Sequence, residues 1–243
     1  MYLRQAGLTR NPTFSYLYSV RCRGQDAASE APLERKYSRW WQALKKDPTM
    51  KSTLDRDDFE RFWIRVFLHT SDDFLERCIE RAYRDFNRTL HGIRDNENKE
   101  AYSKLSNLVK SIVGEITTKN ISHQTEYDTW HKDKCDLLKK GFMTELGYEL
   151  SVGQAQKWIN MTLKYLFALG EGRIKGISKN YEFYHIPIDN IIQEKLENEG
   201  IEKFKERWSR IKEYSDYLDY QKRVRQRFTG QIPLDVEFKL FNT

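Results

Sequence analysis

The feature that most constrains the fold is a nearly continuous apolar segment from Val152 to Leu169. Ser151 precedes it as a good helix N-cap, and Gly170 follows it, where a helix commonly ends. A helix that is apolar on nearly all sides has to be surrounded by other elements of the fold. We therefore predict that this segment is the central helix of the core.

Other segments supply the helices that would surround it. In each of them apolar residues recur at spacings of three and four, which places them on one helix face. These segments are Pro32–Lys46, Leu54–His69, the stretch between Ser71 and Gly92, the stretch marked by Leu105 and Ile116, Ser122–Met143 and Ile201–Phe228. With the central helix and a helix entered at Pro187, the sequence predicts an all-α domain of about eight helices.

The two ends of the chain are less regular. Residues 1–32 combine arginines with serine and alanine and show no long amphipathic pattern, so we predict a loosely ordered arm before one helical domain over 33–243. Near the C-terminus, apolar residues alternate with polar ones from Leu234 to Leu240. Alternation is typical of a short strand, and an extended tail is the other interpretation.

Composition narrows the functional classes. Three cysteines without a CxxC pair favour a reducing compartment, and we expect a cytoplasmic protein. Asn160 and Lys164 interrupt the longest apolar stretch, so no membrane crossing is expected. The five histidines form no HExxH or HxxxH pair, and no phosphate-binding glycine loop is present, so neither a metal nor a cofactor is predicted.

A stripe of basic residues marks the segment after Ser71. Arginines and one histidine recur there at spacings of four, three, four and three, namely Arg77, Arg81, Arg84, Arg88 and His91. On one helix they would form a single row, which could neutralise the phosphates of a nucleic acid. The other interpretation is a solvated face, because Glu80 lies four residues before Arg84, a spacing that forms ion pairs along a helix.

Within that stripe, residues 84–91 read Arg-Asp-Phe-Asn-Arg-Thr-Leu-His. This run resembles the Arg, polar residue, short spacer and His motif of the HEPN family of helical, metal-independent ribonucleases. The resemblance implies that His91 serves as general acid or base and that Arg84 stabilises charge on the phosphate. It also implies a dimer cleft as the place of the motif, and it covers these eight residues only.

A second basic cluster ends the last predicted long helix. It consists of Lys222, Arg223, Arg225 and Arg227, and tyrosines precede it at Tyr214, Tyr217 and Tyr220. Basic residues with aromatic neighbours can hold single-stranded nucleic acid by phosphate contact and base stacking. Cations at a helix C-terminus are also favourable to the helix dipole, which is the structural alternative.

The central helix carries a polar stripe of its own. Lys157, Asn160 and Lys164 share one side of it, and Gln154 lies near its start. Buried polar groups need partners, since an unpaired one costs on the order of 1 to 3 kcal/mol. The partner is either a structural acid such as Asp189 or Asp235, or a ligand phosphate or carboxylate; the third interpretation is that the lysines reach solvent.

Two functions from different classes follow from these patterns. The first is a non-catalytic binding protein whose basic helix faces engage nucleic acid or a protein partner, a homo-oligomer included. The second is a metal-independent ribonuclease that uses Arg84 and His91. The sequence leaves open whether the protein is an enzyme.

Overall fold

The computed structural model describes residues 55–69, 72–93 and 98–243. The predicted helix Pro32–Lys46 and the predicted arm, with its boundary at residue 32, lie outside these ranges. The described residues contain the helices α1 Arg56–Leu68, α2 Phe74–Phe86, α3 Lys99–Thr118, α4 Gln124–Leu146, α5 Val152–Leu169, α6 Asn190–Asn198, α7 Tyr214–Arg227 and α8 Pro233–Phe241. All regular structure in these ranges is helical, which confirms the predicted all-α fold.

Helix α5 is the centre of this fold, as predicted. Its N-terminus is a capping box, in which Ser151 Oγ accepts from the Gln154 amide and the Gln154 side chain accepts from the Ser151 amide. Helices α2, α4 and α7 pack against it. Trp158 is fully buried among aromatic rings of α2, α3 and α4, and its indole donates to the Ile79 carbonyl at 2.9 Å. The rings bury a large apolar area and fix how the helices pack.

The predicted helix Ile201–Phe228 is wrong over its first half. Helix α7 begins at Tyr214, and the residues before it form a loop that includes the 3-10 turn Trp208–Arg210. This loop packs on the start of α5, where Gly153 N donates to the Ile211 carbonyl at 3.1 Å. A continuous helix would use that carbonyl within its own ladder, so capping of α5 competes with helix formation here.

The predicted strand or extended tail near the C-terminus is also wrong. Residues Pro233–Phe241 form helix α8, with Pro233 in its first turn, where the missing amide hydrogen costs nothing. Leu234 and Val236 are buried, and so is Glu237, a residue that the alternating pattern would place with the exposed ones. Helix α8 packs against α6. None of the helices in the described ranges combines the length and the hydropathy that a membrane span requires.

Candidate functional site

The polar stripe of α5 lies inside the protein, and its lysines meet acids. Lys157 is 3% exposed, and its Nζ lies 2.6 Å from Asp189 Oδ2. Asp189 is one of the two acids that the sequence suggested. Its other carboxylate oxygen accepts from the Ile192 amide at 2.9 Å and so caps α6. This ion pair ties the middle of α5 to the start of α6.

Lys164 has a different partner from those suggested by the sequence. Its Nζ lies 2.7 Å and 2.6 Å from the two carboxylate oxygens of Glu237 on α8, and both side chains are buried. Burial raises the pKa of the Glu237 carboxyl, and the Lys164 charge opposes that shift. Asp235, the other acid suggested by the sequence, accepts from the Tyr181 hydroxyl at 2.5 Å.

The N-terminus of α5, where the sequence allowed a bound anion, is capped by the protein itself. The amides of Gly153 and Gln154 donate to the Ile211 carbonyl and to Ser151 Oγ. The Gln154 side chain donates to the Thr89 carbonyl at 3.0 Å. Two of the backbone donors that an anion would need at this helix end therefore already have acceptors.

Asn160, in the middle of the stripe, joins a buried network of histidines and tyrosines. Its amide nitrogen donates to Gln156 Oε1 at 3.0 Å and to the Tyr217 hydroxyl at 2.9 Å. Its carbonyl oxygen therefore faces His131 Nε2, at 2.9 Å, and that nitrogen must carry the proton. Asn160 thus fixes the tautomer of His131.

His185 is fixed by the same reasoning. The oxygen of Tyr217 accepts from the amides of Asn160 and Gln221, so its single proton goes to His185 Nδ1 at 3.0 Å. His185 Nε2 then carries the ring's proton and donates to Asp128 Oδ1 at 2.7 Å. Both imidazoles are neutral in this arrangement.

Asp128 connects the network to the surface through Arg225, whose Nη2 lies 3.1 Å from Asp128 Oδ2. Burial favours the neutral acid, but the hydrogen bond from His185 and the Arg225 charge outweigh it and lower the pKa of Asp128. His131 and His185 are at most 1% exposed. The network joins α4, α5 and α7 and lies out of reach of a substrate unless the helices separate.

The two histidines predict how stability depends on pH. Burial lowers the pKa of both, and for His131 the pKa falls well below its usual range. Below a pH of about 6.5 the unfolded chain binds protons that the folded chain does not, so the free energy of unfolding falls as the pH falls, by up to about 1.4 kcal/mol per pH unit for each histidine. Urea unfolding at a series of pH values measures this slope. His131→Gln should reduce it, whereas His91→Gln, at an exposed position, should keep it; an unchanged slope in His131→Gln would contradict this account.

The arginine stripe of the segment after Ser71 is divided between a helix and a turn. Helix α2 ends at Phe86 and the 3-10 turn Asn87–Thr89 follows, so the prediction that Arg84 and His91 share one helix face is wrong. The turn is bonded to the start of α5, where the Gln154 side chain donates to the Thr89 carbonyl at 3.0 Å and to Thr89 Oγ1 at 3.1 Å, so this contact competes with extension of α2. Ribonuclease activity stays a prediction.

Most members of both basic clusters contact other side chains of this chain. On α2, Arg77 and Arg84 both pair with Glu80, and the Arg81 guanidinium lies 4.7 Å from the centre of the Phe67 ring. The α7 residues Arg223, Arg225 and Arg227 pair with the acids Asp219, Asp128 and Glu199 respectively. Arg88 and Lys222 are exposed. Nucleic-acid binding by these clusters stays a prediction.

The tyrosines before the second basic cluster face the core. Tyr214, Tyr217 and Tyr220 are at most 8% exposed, so the expectation that they stack on bases is wrong. They are buried because α7 packs on α5 with this face. The hydroxyls of Tyr214 and Tyr217 lie within hydrogen-bond distance of His131 and His185 respectively. The aromatic spacing marked a core face.

A surface that the sequence did not single out lies on α1. Phe62, Trp63, Val66 and Phe67 are 56%, 61%, 46% and 45% exposed, and we call them the α1 surface. The sequence predicted this amphipathic helix. In the structure its Leu68 is buried and Ile64 is half-buried, while the wider apolar side faces outward.

Next to the α1 surface is an apolar groove of about 540 Å³. Trp63, Ile64 and Phe67 form its α1 wall, and Tyr165 and Leu169 of α5 form the opposite wall. Phe67 packs edge-on against Tyr165 with ring centres 5.7 Å apart. The groove has the size and lining to take one or two apolar side chains of another molecule.

In the part of the chain that the structure describes, no three His, Cys, Asp or Glu side chains are grouped so that they could hold a metal ion. No protein-family model matches the chain, and neither the curated proteins nor the solved structures give a significant match.

Proposed function

We propose that this helical protein is a non-catalytic binding protein and that it binds a protein partner through the α1 surface. The observation that carries the proposal is the exposure of Phe62, Trp63, Val66 and Phe67 side by side on one helix. These side chains are about half exposed, so covering the rest of each one stabilises a complex by roughly 1 kcal/mol. Contiguous exposed apolar residues commonly mark interaction sites, and tryptophan is frequent among the residues that dominate binding energy.

The ion pairs that the cationic side chains form within the chain favour a protein partner over a nucleic acid. Affinity for nucleic acids depends on cations that neutralise phosphates. Five of the eight predicted phosphate-binding residues form ion pairs within the chain. Each of those would have to exchange an acid for a phosphate, which reduces the gain from binding.

The burial of the histidines favours binding over catalysis. General acids and bases act within hydrogen-bond reach of a substrate. His131 and His185 have the partners that catalytic imidazoles have, but they are enclosed, and their hydrogen bonds connect helices. Their role in this proposal is to hold α4, α5 and α7 in place.

Photo-crosslinking tests the proposal. A photoreactive benzoylphenylalanine replaces Phe62 in the full chain, and in a matched control it replaces Lys222, which is exposed on α7. We expect illumination in cells to give one defined protein adduct at position 62 and none at position 222. Equal yields at both positions, or no adduct at position 62, would contradict binding through the α1 surface.

A further inference from the structure

We infer that the partner of the α1 surface is a second copy of this chain, packed antiparallel across a two-fold axis near Phe62. This inference rests on the proposed function and adds the identity of the partner. It follows from the way in which charge and apolar residues are distributed along α1.

The first step is the position of two opposite charges. Asp58 and Arg65 are seven residues apart, which is about two helical turns, so they lie on the same flank of the α1 surface. Asp58 lies toward the N-terminal end of that flank and Arg65 toward the C-terminal end. Arg65 is exposed and Asp58 is partly exposed.

The second step is symmetry. When two copies of a helix pack antiparallel across a two-fold axis, the same flank of each meets in opposite directions. Asp58 of one copy then faces Arg65 of the second copy, and the reverse pair forms at the other end. In a parallel pair this flank would meet the flank that carries Trp63 and Glu60, whose carboxylate already pairs with Arg173 at 3.0 Å. The charges of the flank with Asp58 and Arg65 are therefore complementary to themselves in the antiparallel arrangement.

The third step is the apolar centre. Helix α1 has 13 residues and is about 20 Å long, and Phe62 lies at its midpoint. A two-fold axis there brings Phe62 and Trp63 of both copies together. Their rings already pack edge-on within one copy, with centres 5.3 Å apart. Four aromatic rings would form the middle of the interface, and the two ion pairs would flank it.

The helix can keep its own cap in this arrangement. Asp58 Oδ2 accepts from the Asp55 amide at 3.0 Å as part of the capping box, and that bond does not use Oδ1. A carboxylate accepts several hydrogen bonds, so Oδ1 can receive the guanidinium of the second copy. Pairing therefore costs α1 none of its N-terminal hydrogen bonds.

Sedimentation equilibrium of the purified full chain with charge-exchanged variants tests the inference. We expect a concentration-dependent dimer. Arg65→Asp places two acids opposite each other at both ends and should raise the dimer dissociation constant about tenfold or more. Asp58→Arg combined with Arg65→Asp should return the constant to within about threefold of the unmodified protein, because the pairs form again with reversed sign. Lys222→Asp makes the same charge change on α7 and should have no effect.

The outcomes separate this inference from the proposed function. The inference that the partner is a second copy is overturned if the chain stays monomeric at all concentrations, or if the dimer is insensitive to Arg65→Asp. A double variant as weak as Arg65→Asp alone also overturns it. Recovery of the dissociation constant in the double variant cannot result from helix capping, because the double variant lacks the Asp58 side chain that caps α1. If the adduct at position 62 contains a different protein, the second copy is overturned and binding through the α1 surface stands; if there is neither adduct nor dimer, both fail.

Discussion

Replacing Gly153 by alanine is expected to destabilise the fold by about 3 kcal/mol or more, because the added methyl group has no room. A Cβ at this position would lie 1.8 Å from the carbonyl oxygen of Trp208 and 2.9 Å from its carbonyl carbon. Both are backbone atoms of the loop that caps α5. The loop would have to move away, and the hydrogen bond from Gly153 N to the Ile211 carbonyl would break.

Urea unfolding at neutral pH, followed by circular dichroism, measures this effect. Gly114→Ala is the matched control, since Gly114 is exposed on α3 and a Cβ there meets no atom within 4 Å. Alanine favours the helix more than glycine does, so the control should be up to about 1 kcal/mol more stable than the original chain. A Gly153→Ala protein as stable as the Gly114→Ala protein would mean that the loop does not lie on α5 as described.

Replacing Lys164 by methionine is expected to cost about 3 kcal/mol or more, because it leaves the Glu237 carboxylate buried without a counter-charge. The two side chains are 7% and 3% exposed. In Lys164→Met the carboxyl can avoid part of this cost by binding a proton, so the loss should become smaller at low pH. Urea unfolding at pH 7 and at pH 5 measures both effects.

Two further variants separate the buried charge from simple loss of packing. Adding Glu237→Leu to Lys164→Met removes the remaining charge and should recover much of the stability. Lys157→Met should cost less than Lys164→Met, because the Asp189 side chain is 26% exposed and stays hydrated. If the double variant is no more stable than Lys164→Met, the loss does not come from the unpaired acid.

Local signals predicted the centre of the fold well. Ser151 and Gln154 have the types and spacing of a capping box, and the segment that follows is too apolar to lie at the surface. The loop before α7 could not be predicted in this way. Its residues have helical spacing, but the Ile211 carbonyl bonds to α5, which is a contact with a distant part of the chain.

Helix α8 shows how two sequence signals can conflict. The alternation from Leu234 to Leu240 indicated a strand, whereas Ile232-Pro-Leu-Asp235 reads as the entry of a helix. The entry signal was the better guide, because Pro233 fits a first helical turn. The strand interpretation treated Glu237 as a solvated residue, so the sequence did not identify it as the partner of Lys164.

The polar residues of α5 were recognisable from their type, but their partners were only partly so. Asp189 follows an apolar segment, and the sequence predicts it as an acid that could meet the stripe. The spacing of the histidines indicates no metal site and assigns no role to His131 or His185. A usable signal was present, since Asp128 and His131 are three residues apart and share one face of α4. His185 is distant in sequence, and only the fold brings it there.

The α1 surface shows a limit of periodicity. The spacing of Phe62, Trp63 and Val66 indicates that these residues share one helix face. The spacing does not indicate whether that face packs against the core of the same molecule or against another molecule, because an apolar helix face is needed in both cases. In the structure these side chains are exposed, so the face does not pack against the core of the described residues.

The adduct formed by benzoylphenylalanine at position 62 is the most direct test of binding through the α1 surface. Adding Val66→Glu to the same chain places a charge on the surface without touching the core, since Val66 is 46% exposed. Our account predicts one defined adduct, composed of two copies of this chain, which the Val66→Glu change abolishes. An adduct that survives Val66→Glu at full yield, or no adduct at position 62 at all, would contradict it.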